Sequence, residues 1–446
     1  MHAASLRHLL LVFALASASA EETKPAAAFV KGKSATKAEA GPFLPRHLLL
    51  TFETYALPQG DLDALHGDGL AAKPFYERVR QFVAEGKATL ETVVALPTKS
   101  GNRAIIESVD EVLYPTEFDP AEPGRPFALP VAYEMRPTGA RIEVDPVLHD
   151  DETEVDMNLA PDFCRLVGFR ECKADPNQGG EIQPIFATRK VATSITCRLG
   201  VPTLLGTLSA PHATGLADAE GDGKVSVTFA LARMSAPAEV GPPQAAESDA
   251  TKAGNLRMVF RFYSMPRDKA RDFLATTTDA DKLHDLVRAM APADWKQERL
   301  ITLHTRTGQR AAIEEVVENI YGTGVEPSVS HASAKQLLPA SFSAFEMRPL
   351  GWRIEVDPVL GEDGRYADLN LAPEHTEFRG YVQGHPLLER YPQQSVFASQ
   401  KITTAVTALL GHQCFLGTFN APGDTGVNGR KDDGRAWFTF VKVTLE

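Results

Sequence analysis

The sequence predicts an α+β fold, predominantly antiparallel β, made by tandem duplication of one β-rich unit. The stretch Ala140-Arg-Ile-Glu-Val-Asp-Pro-Val-Leu148 returns as Trp352-Arg-Ile-Glu-Val-Asp-Pro-Val-Leu360. The offset between the copies stays at 212 residues from Glu134/Glu346 through Pro161/Pro373. Apolar and polar residues alternate along the stretch, as in a strand with one buried face. We therefore expect two similar β domains with one or two helices each.

Bulk composition limits the function classes. A chain of 446 residues can form two or three domains with full cores. Its 43% apolar and 23% charged residues are typical of a soluble globular protein. A net charge of −12 disfavours nucleic acid, whose phosphates require a basic surface, and electrostatic adhesion to anionic lipid.

The first 20 residues are predicted to be a secretory signal peptide. Arg7 precedes an apolar run from Leu9 to Ala16, and Ala18-Ser-Ala20 is a small-residue cleavage pattern. The alternative is an N-terminal membrane anchor, but the run is far below the ~20 residues that a membrane span needs. No later segment is apolar enough for a transmembrane helix. We expect an exported protein with a flexible leader over 21–43.

The rest divides into three predicted segments: repeat 1 (residues 44–234), a Pro/Ala-rich linker (235–254) and repeat 2 (255–446). Each repeat opens with a predicted strand closed by Pro58 or Pro266. A helix follows, because apolar residues recur at helical spacing. These residues are Phe75, Val79, Phe82 and Val83 in repeat 1, and Leu283, Leu286, Val287 and Met290 in repeat 2.

The duplicated motif itself predicts a hairpin. Ile142 and Val144 fall on one sheet face, and Arg141, Glu143 and Asp145 on the other. Proline cannot donate to a strand ladder, so we expect Pro146 to end the pairing or to lie at an edge. A polar turn and a return strand follow in both repeats. The segments 163–183 and 376–393 come next and differ between the repeats. Gly and Pro residues interrupt both segments, so we do not expect them to form membrane-spanning strands.

Four stretches occur in the same order in both repeats. They are Pro97–Ile106 and Leu303–Ile313, Gly139–Pro146 and Gly351–Pro358, Ile185–Thr196 and Val396–Thr407, and Gly200–Leu208 and Gly411–Phe419. In this order they resemble the core domain of bacterial secretins, the multimeric outer-membrane channels of type II and type III secretion systems and type IV pili. Arg189 keeps an arginine of the family pattern, which Gln400 replaces in repeat 2.

The resemblance implies a component of a bacterial envelope secretion or pilus system that acts by protein assembly and not by catalysis. It implies location in the periplasm or outer membrane of a Gram-negative-type bacterium. It also implies partners among envelope proteins, including self-association through strand edges. The alternative is a soluble periplasmic scaffold or binding protein that keeps the fold without forming a pore. An enzyme with an unrecognised site is the third hypothesis.

The sequence offers no convincing catalytic, cofactor or metal site. The duplicated carboxylates, Glu143 with Asp145 and Glu355 with Asp357, could perform acid–base chemistry. A strand face with cross-strand ion pairs is the favoured interpretation, since no His or Ser accompanies both copies. The acidic stretch 218–223 lacks a full calcium-loop pattern and predicts a turn.

Cysteines and aromatic residues leave two questions open. The four cysteines are Cys164, Cys172, Cys197 and Cys414, and Cys164 and Cys172 could form a disulfide or remain free. The aromatic residues Trp352, Trp437, Phe438 and Phe440 could mark a membrane-interface girdle, but we expect ordinary core packing.

Overall fold

The computed structural model describes residues 46–121, 128–173, 180–209, 224–235, 254–326, 341–386, 388 and 391–446. These residues belong to one compact unit, Leu44–Glu446. Antiparallel strands dominate it, and two short helices accompany each repeat. The predicted fold class is confirmed. The predicted signal peptide, the predicted leader and nearly all of the predicted linker lie outside the described residues.

In its described residues, repeat 1 has ten strands and two helices. They are β1 (His47–Pro58), α1 (Gln59–Gly67), α2 (Ala72–Ala84), β2 (Thr89–Lys99), β3 (Ala104–Asp119), β4 (Leu129–Leu148), β5 (Glu154–Leu159), β6 (Asp162–Cys172), β7 (Glu181–Lys190), β8 (Thr193–Arg198), β9 (Thr203–Ser209) and β10 (Lys224–Met234).

Within the described residues, repeat 2 has two long strands where repeat 1 has four shorter ones, and it otherwise follows the same order of strands and helices. They are β11 (Asn255–Pro266), α3 (Arg267–Thr276), α4 (Ala280–Ala289), β12 (Lys296–Arg306), β13 (Ala311–Glu326), β14 (Ser341–Leu360), β15 (Tyr366–Tyr381), β16 (Ser395–Leu409), β17 (Gln413–Thr418) and β18 (Arg435–Leu445). Strand β15 corresponds to β5 and β6 together, and β16 to β7 and β8 together.

Each repeat contributes a small four-stranded sheet that its helices cover. The strand orders are β2-β1-β10-β9 and β12-β11-β18-β17. Helix α2 buries Phe75, Val79 and Phe82, and α4 buries Leu283 and Val287, as their helical spacing predicted. The two helical faces and the sheets beneath them share one apolar cluster.

The remaining strands of both repeats form a single ten-stranded sheet. Its main path is β13-β14-β15-β16-β3-β4-β5-β8, so β16 of repeat 2 pairs directly with β3 of repeat 1. The hairpin β6–β7 branches from β4. Beyond that path, Gly324 of β13 bridges Ala132 of β4. The sheet therefore curls until its first strand touches its sixth.

The duplicated motif lies in β4 and β14. Ile142 and Val144 are buried, as the alternation predicted. The motif begins with a glycine whose φ is 129° in Gly139, and a Cβ there would lie 2.3 Å from the Ser108 carbonyl oxygen. Only glycine fits that bend.

Of the two alternatives expected for Pro146, an end of the pairing is not observed, but an edge position is: the pairing of β4 with β3 stops at Val144, while the pairing with β5 continues past Pro146. Strand β4 continues to Leu148, and Pro146 lies opposite Met157. Proline lacks only the donor, and the Pro146 carbonyl still accepts the Gly101 amide at 2.7 Å. Strand β4 therefore continues through Pro146 to Leu148.

Candidate assembly surface

Three of the four duplicated carboxylates, Glu143, Asp145 and Glu355, lie in ion pairs on a strand face. Arg103 contacts Glu143 at 3.0 Å and Asp145 at 3.1 Å. In repeat 2, Arg310 and Arg353 pair with Glu355. Each of these contacts joins carboxylates to guanidinium groups on the same sheet surface, which is the arrangement of a solvated strand face.

Glu355 and Asp357 also line a depression of about 340 Å³ with Arg103 and Arg310. No His, Ser or Cys is among its described lining residues. The depression therefore places carboxylates and guanidinium groups beside the hydroxyl groups of Thr403 and Thr404, and its described lining contains no histidine that could activate them.

Other candidate chemistry is sparse in the described residues. No group of His, Cys, Asp and Glu residues among them could hold a metal ion. All four cysteines are free thiols. Within the described part of the chain, no helix has the length and hydropathy to cross a membrane. The acidic stretch 218–223 lies outside it.

The aromatic residues pack in the core, as expected. Phe438 and Phe440 are fully buried, and Trp352 is nearly so. Trp437 lies partly buried against the same cluster.

Among the described residues, the longest strand pairing between the two repeats is that of β16 with β3. We call this pairing the inter-repeat seam. The pairing runs from Val396 opposite Val112 to Thr403 opposite Ile105. Antiparallel backbone hydrogen bonds along eight residue pairs thus hold one repeat to the next.

A second layer of the seam joins the small sheets, where β17 approaches β2. The Ala95 amide donates to Thr418 Oγ1 at 3.0 Å, and Asn420 Nδ2 donates to the Val93 carbonyl at 2.7 Å. The approach requires glycine at position 417, since a Cβ there would lie 2.6 Å from the Ala95 oxygen and φ is 119°. Its counterpart Gly206 in β9 has only Val191 near its would-be Cβ, at 3.7 Å.

A bidentate ion pair lies across the seam. Arg348 of β14 donates to the two carboxylate oxygens of Glu111 in β3 at 3.0 and 2.6 Å. Burial raises the pKa of Glu111, and Arg348 opposes that shift by stabilising the carboxylate. Arg348 also reaches Ser399 Oγ at 3.5 Å. Geometry of this kind gives orientation as well as attraction.

The surfaces that form the seam recur, uncovered, on the end strands of the sheet. Among the described residues, β13 pairs with β14 and otherwise only through the Gly324 bridge, while β7 and β8 pair only with β6 and β5. Side chains buried at the seam have exposed counterparts: Val93 (0%) and Leu300 (47%), Leu113 (3%) and Ile320 (68%), Leu166 (3%) and Phe378 (40%). These three exposed residues lie on different strands, β12, β13 and β15. Exposed apolar side chains near an unpaired strand edge such as that of β13 are typical of a pairing surface.

The charged contact of the seam recurs in half. Arg136, the counterpart of Arg348, donates to Thr188 Oγ1 at 3.4 Å, as Arg348 does to Ser399. The counterpart of Glu111 is Glu318, which is exposed on β13. Within the described residues Glu318 has no ion pair. Repeat 1 therefore holds an arginine in seam geometry, and repeat 2 holds the matching carboxylate on an open edge.

Sequence reasoning did not find this seam. It assigned the strands to separate repeats and had no signal that β16 and β3 pair with each other. Gly417 lies in the ordered stretch Gly411–Phe419, but a glycine alone does not reveal which backbone approaches it. The duplication was the usable signal, because equivalent positions can be compared once the burial of each is known.

Comparison with protein-family models gives no match, and no curated protein matches the sequence. Solved structures that align with the chain are secretins. The type II secretin GspD of enteropathogenic Escherichia coli aligns at 12% identity over 49% of this chain and 76% of its own, with a TM-score of 0.24. The type III injectisome secretin InvG of Salmonella aligns at 14% identity over 47% and 69%, with a TM-score of 0.23.

A third alignment involves a larger assembly. PulD of Klebsiella pneumoniae, from a type II secretion outer-membrane complex with PulS and PulC, aligns at 10% identity over 43% of this chain and 40% of that one, with a TM-score of 0.21. At TM-scores this low, the likeness to these structures supports no argument about function.

Proposed function

We propose that this protein is a secretin-like component of a bacterial cell-envelope secretion or pilus system, and that it works by head-to-tail assembly of its own copies. The observation that carries the proposal is the inter-repeat seam, whose two halves recur uncovered on the end strands of the sheet. The four ordered stretches that resemble the secretin core support the choice of system. The predicted signal peptide supports action in the envelope.

The proposed contact copies the seam between two molecules. Strand β7 of one copy would pair with β13 of the next, in the register that β16 and β3 use. Ala398 lies opposite Asp110 in the seam, so Ala187 would lie opposite Val317 between copies. Such a head-to-tail contact makes a ring if its rotation closes and a filament if it does not.

The same register completes the half-formed charged contact. Phe397 lies opposite Glu111, so Phe186 would lie opposite Glu318 of the next copy. Arg136 and Thr188 already stand in the geometry that Arg348 and Ser399 adopt around Glu111. The contact between copies would thus bury exposed apolar side chains and give the unpaired carboxylate of Glu318 an arginine partner.

Paired cysteines test the register. We expect Ala187→Cys with Val317→Cys to give disulfide-linked multimers on mild oxidation, because opposed antiparallel residues have Cβ atoms ~4.5–5.5 Å apart. The control is Ala187→Cys with Ala312→Cys, which displaces the second thiol by five residues, about 17 Å along the strand. Each single variant shows the background from the four natural cysteines.

Molecular mass decides whether assembly occurs at all. We expect multimers of the natural chain by light scattering after chromatography at micromolar concentration. A chain that stays monomeric at every concentration, with no cross-link above background, would end the proposal of self-assembly.

The alternative function is a soluble periplasmic scaffold or binding protein that keeps the fold and forms no pore. The bridge between Gly324 and Ala132 favours it, since it closes the sheet on itself within one chain. Monomers recovered from a periplasmic extract would support this alternative.

A further inference from the structure

A cavity of about 470 Å³ opens in repeat 1 beside the duplicated motif. Ala140, Phe163, Thr54 and Arg189 line it from repeat 1, and Arg267 is among the residues that line it from repeat 2. Small-molecule sites commonly occupy about 300–1,000 Å³ and combine apolar walls with a few polar groups.

The equivalent space in repeat 2 is filled by aromatic side chains. Trp352 lies 4.3 Å from Phe262, 4.2 Å from His375 and 6.3 Å from Trp437, measured between ring centroids. We call this group the aromatic plug and define it as Trp352, Phe262, His375 and Trp437. It occupies the junction between β14, β15 and the small sheet of repeat 2.

Strand register identifies the counterparts of the plug. Trp352 lies opposite His375, and Ala140 lies opposite Phe163. Trp437 lies opposite Ser264 in β11, and Ser226 lies opposite Ala56 in β1.

Phe262 corresponds in the same way to Thr54, because each lies at the same step of its strand pairing. Repeat 1 therefore has Ala, Ser and Thr where repeat 2 has two indoles and a phenyl ring. The cavity is the space that those rings would fill.

Three arginine residues line the cavity, and two of them are in ion pairs. Arg267 is paired with Asp432 at 2.5 Å, and Arg165 with Asp424 at 3.1 Å. Arg189 instead donates to Ser226 Oγ, and Ser226 Oγ donates at 2.9 Å to the carboxylate of Glu91, which also lines the cavity. No carboxylate oxygen of the described residues lies within ion-pair distance of Arg189, and its counterpart in repeat 2 is the neutral Gln400.

Repeat 1 thus combines an open aromatic-sized space with a guanidinium that reaches the Glu91 carboxylate only through Ser226 and, within the described residues, has no direct ion pair. Phe163 supplies an aromatic wall, against which a planar ring can stack. A guanidinium binds carboxylates through paired, charge-assisted hydrogen bonds.

We propose that this cavity binds a small aromatic carboxylate, whose ring takes the place that the Trp352 indole holds in repeat 2 and whose carboxylate accepts hydrogen bonds from Arg189. The ring lies against Phe163. The ligand is either a free compound or the carboxyl-terminal aromatic residue of a peptide, which present the same chemistry. The site lies within one copy of the chain, so it exists whether or not the copies assemble.

Calorimetric titration of the purified full chain tests the site with defined probes. Indole-3-acetate carries both ring and carboxylate, indole carries only the ring, and acetate only the charge. We expect indole-3-acetate to bind about tenfold or more tighter than indole, because it adds hydrogen bonds to a charged group. Acetate should give no heat above dilution.

The tripeptide Gly-Gly-Trp distinguishes the two sources. Tighter binding of the tripeptide than of indole-3-acetate assigns the site to a peptide terminus, and weaker binding assigns it to a free compound. Both outcomes support the proposal, and failure of the natural chain to bind either probe overturns it.

Two substitutions copy repeat 2 into repeat 1. Ala140→Trp rebuilds the indole of the plug and should abolish binding of every probe, while the control Ala140→Ser keeps the cavity open and should bind like the natural chain. Arg189→Gln should weaken indole-3-acetate about tenfold and leave indole within about twofold.

Thermal melting and circular dichroism establish that each variant folds. A folded Ala140→Trp chain that binds indole-3-acetate with natural affinity overturns the proposal. If Ala140→Trp does not fold, Arg189→Gln decides, and an unchanged ratio of the two affinities overturns the assignment of the carboxylate to Arg189.

Discussion

Strands β3 and β13 hold equivalent places in the two repeats, but only β3 has a partner strand along both sides. Leu113 of β3 packs against Tyr321 and Phe397 of repeat 2. Its counterpart Ile320 is exposed on β13. An aliphatic residue is therefore kept at both positions, but a neighbour covers only one of them. The comparison shows that repeat 2 covers a position of repeat 1 whose counterpart in repeat 2 stays exposed, and this difference supports the proposed contact between copies.

The largest effect should come from the apolar half of this comparison. We expect Leu113→Ala to lower the free energy of unfolding by about 3 kcal/mol, since it removes buried methyl groups and leaves a cavity. Ile320→Ala, its matched control, should change it by less than about 0.5 kcal/mol because the side chain lies in water. Urea unfolding at a concentration that keeps the chain monomeric measures both.

Equal losses in the two variants would contradict the comparison, since they would mean that Ile320 is as well covered as Leu113. At concentrations that permit assembly, Ile320→Ala should weaken association while Leu113→Ala should not act at that contact. This second measurement separates an effect on the single chain from one between copies.

The charged half of the comparison should give the next largest effect. Arg348→Ala leaves Glu111 buried without its bidentate partner, so we expect a loss of about 2 kcal/mol. The matched variant Arg136→Ala removes only an exposed contact with Thr188 and should cost less than about 0.5 kcal/mol. Urea unfolding midpoints give both values.

Replacing Glu111 by Gln in the Arg348→Ala chain supplies the control. It removes the unpaired carboxylate, so part of the lost stability should return. If the double variant is no more stable than Arg348→Ala alone, the cost lies in packing and not in the stranded charge.

The sequence predicts the repeats, their strand order and the amphipathic helices, because each depends on local periodicity. It does not predict the seam. Leu113 and Ile320 are both aliphatic, and nothing local says which of them a distant strand covers. The sequence left two alternatives for Pro146 for a related reason, since its carbonyl partner Gly101 is distant in sequence.

Differences between the two aligned copies of the sequence already mark the positions that line the cavity of repeat 1. Aligned copies show Ala140 beside Trp352 and Arg189 beside Gln400. A large-to-small difference paired with a neutral-to-charged one marks a place where two copies of a fold diverge in use. Sequence alone could not say that these positions share one space, because they lie on different strands.

The smallest effect should come from pH at the edge of the seam. His47 of β1 accepts a hydrogen bond on Nε2 from the Thr407 amide of β16 at 3.1 Å, which requires that nitrogen to be unprotonated. Burial, aided by the nearby charge of Lys99, lowers the pKa of His47 to about 4. Its counterpart in repeat 2 is Asn255, which does not titrate.

Below pH ~6.5 the His47 imidazole is therefore protonated in the unfolded chain. In the folded chain it stays neutral until the pH approaches its lowered pKa of about 4. The unfolded state binds more protons across this window, so stability must fall as pH falls. Because the imidazole is only partly buried, we expect His47 to contribute a loss of about 1 kcal/mol between pH 7 and pH 5.

His47→Asn, which installs the residue of repeat 2, measures that contribution. The drop in unfolding free energy from pH 7 to pH 5 should be about 1 kcal/mol smaller in the variant than in the natural chain. The difference between the two chains cancels the titration of every other group they share. An unchanged drop would mean that His47 takes up its proton equally in both states, and that β16 does not hold the neutral ring at the seam.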